Sequence, residues 1–281
     1  MIEQKLLQLL AEDIGLGDVT SQAVIPQELI ATAVVIAKEV GVAAGLFEAT
    51  VLAESLGLSV KAEVADGETI KSGQILMEIS GDACTILCIE RTLLNLLSRM
   101  SGIATATNSL KQMLKKAGLK TKIASTRKSA PGLLYFDKKA VALGGGDTHR
   151  LHLDDMVLIK DNHIALVGSP EEAVRKAKNT LSFTKKIEVE VTKVADVLKV
   201  VHAGSDAILL DNFSVSQVKD AVDILAKAGL LGKVVLEASG GIKSENMLEY
   251  AGAGVDVISM GQLTHSVKAL DFSLEIIRKK S

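Results

Sequence analysis

Tryptophan is absent, and aromatic residues of every kind make up only 2% of the 281 residues. A chain so poor in flat side chains lacks the platforms on which single-stranded DNA or RNA stacks its bases. The formal charge of −2 removes the other common basis for nucleic-acid binding, a broad cationic face. Cysteine is nearly absent: Cys84 and Cys88 are the only two. Their i,i+4 spacing puts them on one helix face, but no histidine or third cysteine joins them. They read as two buried or half-buried thiols rather than a zinc site, and so few cysteines suit a reducing compartment. No apolar run approaches the ~18 residues of a membrane span. MIEQKLLQLLAED at the start carries charges throughout and reads as an amphipathic helix, not a signal peptide. The expectation is a soluble, cytoplasmic protein with neither nucleic acid nor membrane as partner.

What is present is aliphatic. Apolar residues are 48% of the chain, enough for a sizeable core of Leu, Ile, Val and Ala. The length suits one large domain plus a smaller one. The first hundred residues mix elements irregularly, as an α+β layer does. ATAVVIAKE, LSVKAEVADGETI and GQILMEIS read as strands, with a helix between the first two near Phe47–Leu56. CTILCIERTLLNLLSRMSGIATATNSLKQMLKKAG reads as a long helical stretch with a weak point at Ser101-Gly102. VADGETIKSGQILMEIS has some likeness to the β-turn-β segment of a lipoyl-type carrier, but no hairpin tip presents a lysine.

From about Lys120 the pattern turns regular. TKIAST, MVLIKD, KIEVEV, AILLDN, VVLEASGG and DVISMG are short runs rich in β-branched residues, separated by helical stretches. Several of those stretches begin at Ser and end at Gly, as caps require. Such alternation predicts a parallel sheet with crossover helices. Six strands favour a TIM-like barrel, complete or incomplete, over an open doubly wound sheet.

Each of these strands runs into polar residues at its C-terminal end: Arg127-Lys128, Lys160-Asp161-Asn162-His163, Glu188 and Glu190, Asp211-Asn212, Ser239-Gly240-Gly241, and Gly261 with Thr264, His265 and Ser266 beyond. In parallel barrels that end is where active sites form. Arg127, Lys128, Arg150 and Lys160 would converge as a cationic bowl, and arginine pairs suit carboxylates and phosphates. The glycines of SGG and SMG let backbone N–H groups approach an anion at a helix start. Glu190 and Asp211, on neighbouring strands, could hold Mg²⁺ through water or offset positive charge on a substrate. The ligand implied is a small polyanion with a metal-bound phosphate chain.

Other polar residues have plainer readings. Lys139, His152 and His202 read as solvated or packing residues, Asp154-Asp155 as turn residues, and His163 as a cap or a functional group. Lys138 is open between the two.

TRKSAPG, GGGDTHR, LIKDNH, EVEV, LLDN, EASGGI and SMGQLTHS follow in this order, with ERTLLNLLSRMSGIAT upstream. This ordered set resembles quinolinate phosphoribosyltransferases over nearly the whole chain. The resemblance implies an N-terminal α/β sandwich joined to an incomplete α/β barrel. The division expected is 1–110 and 111–267, with a C-terminal helix at 268–281 packing back on the first domain. It also implies transfer of the phosphoribosyl group of 5-phosphoribosyl 1-diphosphate to quinolinate, with Mg²⁺, giving nicotinate mononucleotide, diphosphate and CO₂. A homodimer or a hexamer built as a trimer of dimers is implied.

By the same resemblance, Arg127, Lys128, His149 and Arg150 would hold the two quinolinate carboxylates, with Arg91 supplied by the partner subunit. Lys160 would face the ribose-diphosphate side and quinolinate. Glu190 and Asp211 would lie near ribose and metal, and Ser239, Gly240, Gly261 and His265 would grip phosphate. Lys128, Lys160, Glu190 and Asp211 are the catalytic candidates. Departures from the family pattern are Leu134 where an arginine is frequent, Lys139 where a tyrosine is, and Ser129 for threonine. The rival readings are the related pyrophosphorylase found beside molybdate transporters, a Schiff-base aldolase using Lys160, and a non-catalytic sensor of a phosphorylated metabolite.

Overall fold

The computed structural model describes residues 2–280, and the chain divides into two compact units. The first comprises the residues up to Asn108, Tyr135–Gly145 and the segment from Val267; the second is Ser109–Leu134 with Gly146–Ser266.

The first unit is built on a four-stranded antiparallel sheet. In chain order its elements are α1 (Ile2–Ile14), α2 (Val19–Val24), β1 (Ile30–Ala37), β2 (Gly41–Val42), α3 (Leu46–Ser55), β3 (Ser59–Ala62), β4 (Thr69–Ile70), β5 (Ile75–Asp82) and α4 (Ala83–Lys116). The last turns of α4, from Ser109, count with the second unit. Serine-glycine at 101–102 does not break α4. Gly102 is there for space: a Cβ would collide with the Lys268 backbone carbonyl. No helix among the described residues is long and apolar enough to cross a membrane.

The C-terminal segment corrects the sequence expectation. It is a strand, not a helix, and pairs antiparallel with β1 from Ala37↔Phe272 to Ile30↔Lys280. Phe272, Leu274 and Ile276 alternate with Ser273 and Glu275, and two adjacent isoleucines favour a strand. A bulge at Thr32/Ala33 absorbs the extra isoleucine, Ile277, that breaks the alternation. The run of Leu, Glu and basic residues resembles a helix end only when β1's open edge is out of view.

The second unit holds β6 (Lys122–Ala124), then after α5 (Leu134–Leu143) β7 (Val157–Ile159), α6 (Asp161–Val167), α7 (Pro170–Thr180), β8 (Ile187–Val191), α8 (Val194–Ala203), β9 (Ala207–Asp211), α9 (Val215–Lys227), β10 (Val235–Ser239), α10 (Met247–Gly252), β11 (Val257–Ser259) and α11 (Gln262–His265). The chain closes with the C-terminal strand as β12 (Phe272–Lys280). The first unit's sheet runs β12-β1-β5-β3, and the second unit's six-stranded sheet runs β6-β11-β10-β9-β8-β7. All its pairings are parallel. Successive strands step in one direction, and the last lies beside the first. An open doubly wound sheet reverses direction and cannot do this, so the sheet is a barrel with a gap between β6 and β7. The gap is partly filled by a parallel bridge of Ala124 to Asp147. Serine caps start α7 and α9, and Gly204 ends α8 in the left-handed conformation. The core is aliphatic, with Val189, Ile208, Leu210, Leu236 and Ile258 all fully buried.

Although α5 follows β6 in the chain, all of it beyond Leu134 belongs to the first unit. Arg99 reaches Asp137 at 2.7 and 2.8 Å, and Lys139 reaches Glu48 at 2.8 Å and Asp66 at 3.4 Å. Lys139 is therefore a structural ion-pair partner rather than a solvated charge, and Lys138 is buried beside it.

Gly102→Ala is expected to cost about 1–3 kcal/mol by overpacking, despite alanine's ~1 kcal/mol advantage in helix propensity. Thermal unfolding checks this: a raised melting temperature would mean that the Lys268 segment gives way.

Candidate active site

The C-terminal ends of the barrel strands bring most of the sequence-predicted residues to one mouth in the second unit. Lys160 directly follows β7 and sits 3.4 Å from Glu190 of β8. Asp211 ends β9, and its carboxylate accepts the Asn212 side-chain amide at 2.8 Å. Asn212 turns the chain with φ +55° and donates its backbone N–H to Ser239 at 2.9 Å. Gly240 follows with φ +92°; a Cβ there would collide with the Asn212 side chain and reach its backbone N at 2.9 Å. Only glycine lets the Asp211-Asn212 and Ser239-Gly240 turns approach so closely. Across the mouth, buried Thr264 donates to the Lys128 carbonyl at 2.6 Å. A Cβ on Gly261 would lie 3.0 Å from the His265 ring and 3.3 Å from the Lys128 side chain, so these three converge. Thr264 carries this link and was not among the expected site residues.

Burial pushes the Arg150 guanidinium down from its ordinary pKa, and the Arg127 charge adds to that, with Glu188 opposing. Two guanidinium groups held within each other's field are a prepared anion site. Burial raises Glu190, Lys160 opposes, and the Asp211 charge raises it further. Glu190 and Asp211 thus lie within one another's field. Lys160 is about half exposed and ion-paired, unlike the desolvated amine that Schiff-base chemistry requires.

His149 stands apart from the mouth. Its ring lies inside the barrel, with Nε2 at 3.3 Å from Glu188 and 3.1 Å from Glu237, and its Nδ1 accepts the Arg150 backbone N–H at 2.7 Å. Neither ring nitrogen is left over for a substrate. Burial alone would depress the ring's pKa, but Glu188 and Glu237 override it and raise it to about 9. Burial likewise raises Glu188. Glu188 and Glu237 were not predicted as site residues. Period-two alternation was the available signal: it puts Glu188 on the face of Glu190, and Glu237 on the face of Ser239.

The remaining expectations fall as follows. Arg91 is exposed on α4 in the first unit. The His163 ring caps α6 by accepting the Lys160 N–H at 2.9 Å. Asp155 accepts N–H groups of Leu151 and His152 at 2.6 and 3.0 Å, as a turn residue does, and His152 and His202 are exposed. Cys84 and Cys88 are free and half-buried.

Comparison with known proteins agrees over the whole length. Residues 18–101 match the model of the quinolinate phosphoribosyl transferase N-terminal domain, and residues 103–275 that of its C-terminal domain. A probable nicotinate-nucleotide pyrophosphorylase [carboxylating] of Methanothermobacter thermautotrophicus is 44% identical over 269 residues, covering 96% of each chain. The nicotinate-nucleotide pyrophosphorylase [carboxylating] of Mycobacterium leprae is 42% identical, over 95% of this chain and 94% of that one. Among solved structures, the nicotinate-nucleotide pyrophosphorylase of Francisella tularensis superposes with a TM-score of 0.90 at 36% identity, covering 98% and 96% of the two chains.

The raised pKa of Glu190 fixes a sign. The folded state holds that proton more tightly than the unfolded chain, so its contribution to stability is present at low pH. It is lost as pH rises from the ordinary carboxylate range through the raised value. Glu190→Gln is therefore expected to become more stable relative to the parent as pH rises through that window. Melting temperatures of both proteins from pH 4 to 8 test this, and parallel curves would contradict it.

Proposed function

The chain belongs to the quinolinate phosphoribosyl transferase family, and from that premise we propose how its own residues carry the reaction. The protein is a pentosyltransferase. It moves the phosphoribosyl group of 5-phosphoribosyl 1-diphosphate to quinolinate with loss of CO₂, forming nicotinate mononucleotide and diphosphate for NAD synthesis. The names of its relatives favour this activity over that of the transporter-associated pyrophosphorylase.

The observation that carries the assignment of roles is the gathering of Lys160 and Glu190, and of Gly261, His265 and Lys128, at the strand ends. Arg127 and Arg150 would pair with the two carboxylates of quinolinate, and bidentate pairing would fix the pyridine ring. Lys128 adds a third cation. Arg91 of a second copy is the fourth, so the working unit is a homodimer or an assembly of dimers. The turns at Ser239-Gly240 and Gly261, with His265, suit phosphate groups. Glu190 and Asp211 face the position where positive charge develops on the ribose as diphosphate departs.

The pyridine nitrogen then forms the bond to the anomeric carbon as the bond to diphosphate breaks. The ring becomes cationic and accepts the electron pair left when the adjacent carboxylate leaves as CO₂, and that carbon takes up a proton. Orientation and charge placement do this work without a covalent enzyme intermediate. Glu190 and Asp211, within one another's field, fit a Mg²⁺ ion that keeps most of its water. They would hold it against the departing diphosphate, where it supplies charge neutralisation. A cytoplasmic location fits a chain with few cysteines.

Release of labelled CO₂ from carboxyl-labelled quinolinate is expected to require both 5-phosphoribosyl 1-diphosphate and Mg²⁺; release without either would overturn the reading. Arg127→Ala and Arg150→Ala are each expected to raise KM for quinolinate about ten- to a hundredfold, the scale of a lost charged hydrogen bond. Inactive Arg91→Ala and Lys160→Ala proteins are expected to regain activity when mixed. No recovery despite proven subunit exchange would refute the shared site.

A further inference from the structure

The interior of the barrel carries two glutamates that the reaction as described does not use. Glu188 and Glu237 are 1% and 3% exposed, and they come from β8 and β10, on either side of β9. Glu237 Oε1 is buried without a hydrogen-bond partner, and Glu188 Oε2 has only the 3.3 Å contact with His149 Nε2. Each such group costs free energy, about 1–3 kcal/mol and more when charged. Replacing buried ionic groups by apolar ones is frequently neutral or stabilising. Stability therefore does not account for them.

Their contacts do. Both carboxylates face Nε2 of His149, at 3.3 and 3.1 Å. His149 has a left-handed backbone, φ +52°, which a residue with a Cβ adopts only when held there. Its N–H donates to Asp147 at 2.8 Å, and its Nδ1 accepts the Arg150 N–H at 2.7 Å. The ring is thus clamped from below by two acids and carries the Arg150 backbone on its other edge. The Arg150 guanidinium is buried and anchored at 3.4 Å on the Met156 carbonyl.

We propose that Glu188 and Glu237 are positioning residues that act through His149 to aim Arg150 at the anion. The inference rests on Arg127 and Arg150 binding quinolinate as read above. The same three side chains offer donor atoms within 4.8 Å of one another, close enough for a metal. The Arg150 N–H on Nδ1 argues against one: it keeps the proton on Nε2, which makes that nitrogen a hydrogen-bond donor to the carboxylates rather than a ligand. Glu188 and Glu237 push the His149 pKa up, while the Arg150 N–H on Nδ1 opposes full protonation of the ring.

The test is steady-state kinetics of Glu188→Gln and Glu237→Gln beside Arg150→Ala, with melting temperatures. The Gln variants keep shape and remove charge. Each is expected to raise KM for quinolinate about tenfold, the low end for a charged hydrogen bond. KM for 5-phosphoribosyl 1-diphosphate should stay within about twofold, whatever the change in melting temperature. A purely structural role would lower the melting temperature and leave both KM values alone; that result, or failure of both variants to fold, overturns the proposal. If Arg150→Ala raises quinolinate KM and the Gln variants do not, only the positioning role fails. If Arg150→Ala has no effect either, the reading of the anion bowl fails with it.

Discussion

The site depends first on the pairing of β6 with β11. Parallel strands laid side by side in a flat sheet would spread their C-terminal ends along a line. Curling the sheet until the last strand meets the first gathers those ends into a ring. Lys128, Lys160, Glu190, Asp211, Ser239 and Gly261 are far apart in sequence, yet each lies within a few residues of a strand end. The gap between β6 and β7 is the one place where the ring is open. The loop that bridges it at Asp147 is also the loop that carries His149 and Arg150.

Holding so many cations together without an anion is unfavourable, and the chain compensates locally rather than globally. Lys160 leans on Glu190. The Lys128 carbonyl is tied down by Thr264, which frees the side chain to face the mouth beside Gly261. Arg150 has burial and the Arg127 charge against it, with Glu188 and Asp155 opposing. A dicarboxylate bound beside Arg150, as proposed, would offset that cost.

Much of this was legible in the sequence because it follows from short-range rules. Strand-helix alternation announced the parallel sheet, and polar residues after each apolar run announced the mouth. Serine and glycine at helix ends marked the caps. What was hidden depended on partners distant in the chain. The strand character of Phe272–Lys280 is decided by the free edge of β1, some 240 positions earlier in the register that pairs Ile36 with Ser273. Lys139 looked solvated because Glu48 and Asp66 are far upstream. His149 looked like a ligand for substrate because its neighbour Arg150 is exposed to the same motif logic, while its two acid partners sit on other strands.

The two glutamates of β8 show how one strand can serve two levels of the same site. Glu188 and Glu190 are two residues apart, so they point to the same face, about 6–7 Å apart along the strand. The lower one is buried beside His149 and Glu237; the upper one meets Lys160 at the mouth. Their environments push both carboxyls upward, chiefly through burial, but with different consequences. At the mouth, a cation and a neighbouring acid leave Glu190 open to the substrate side. In the interior, Glu188 and Glu237 share the His149 ring between them. A barrel of apolar layers alone would fold at least as well. The polar layer under the mouth ties the backbone of the gap loop to the strands, so the direction of Arg150 becomes a property of the barrel rather than of a free loop.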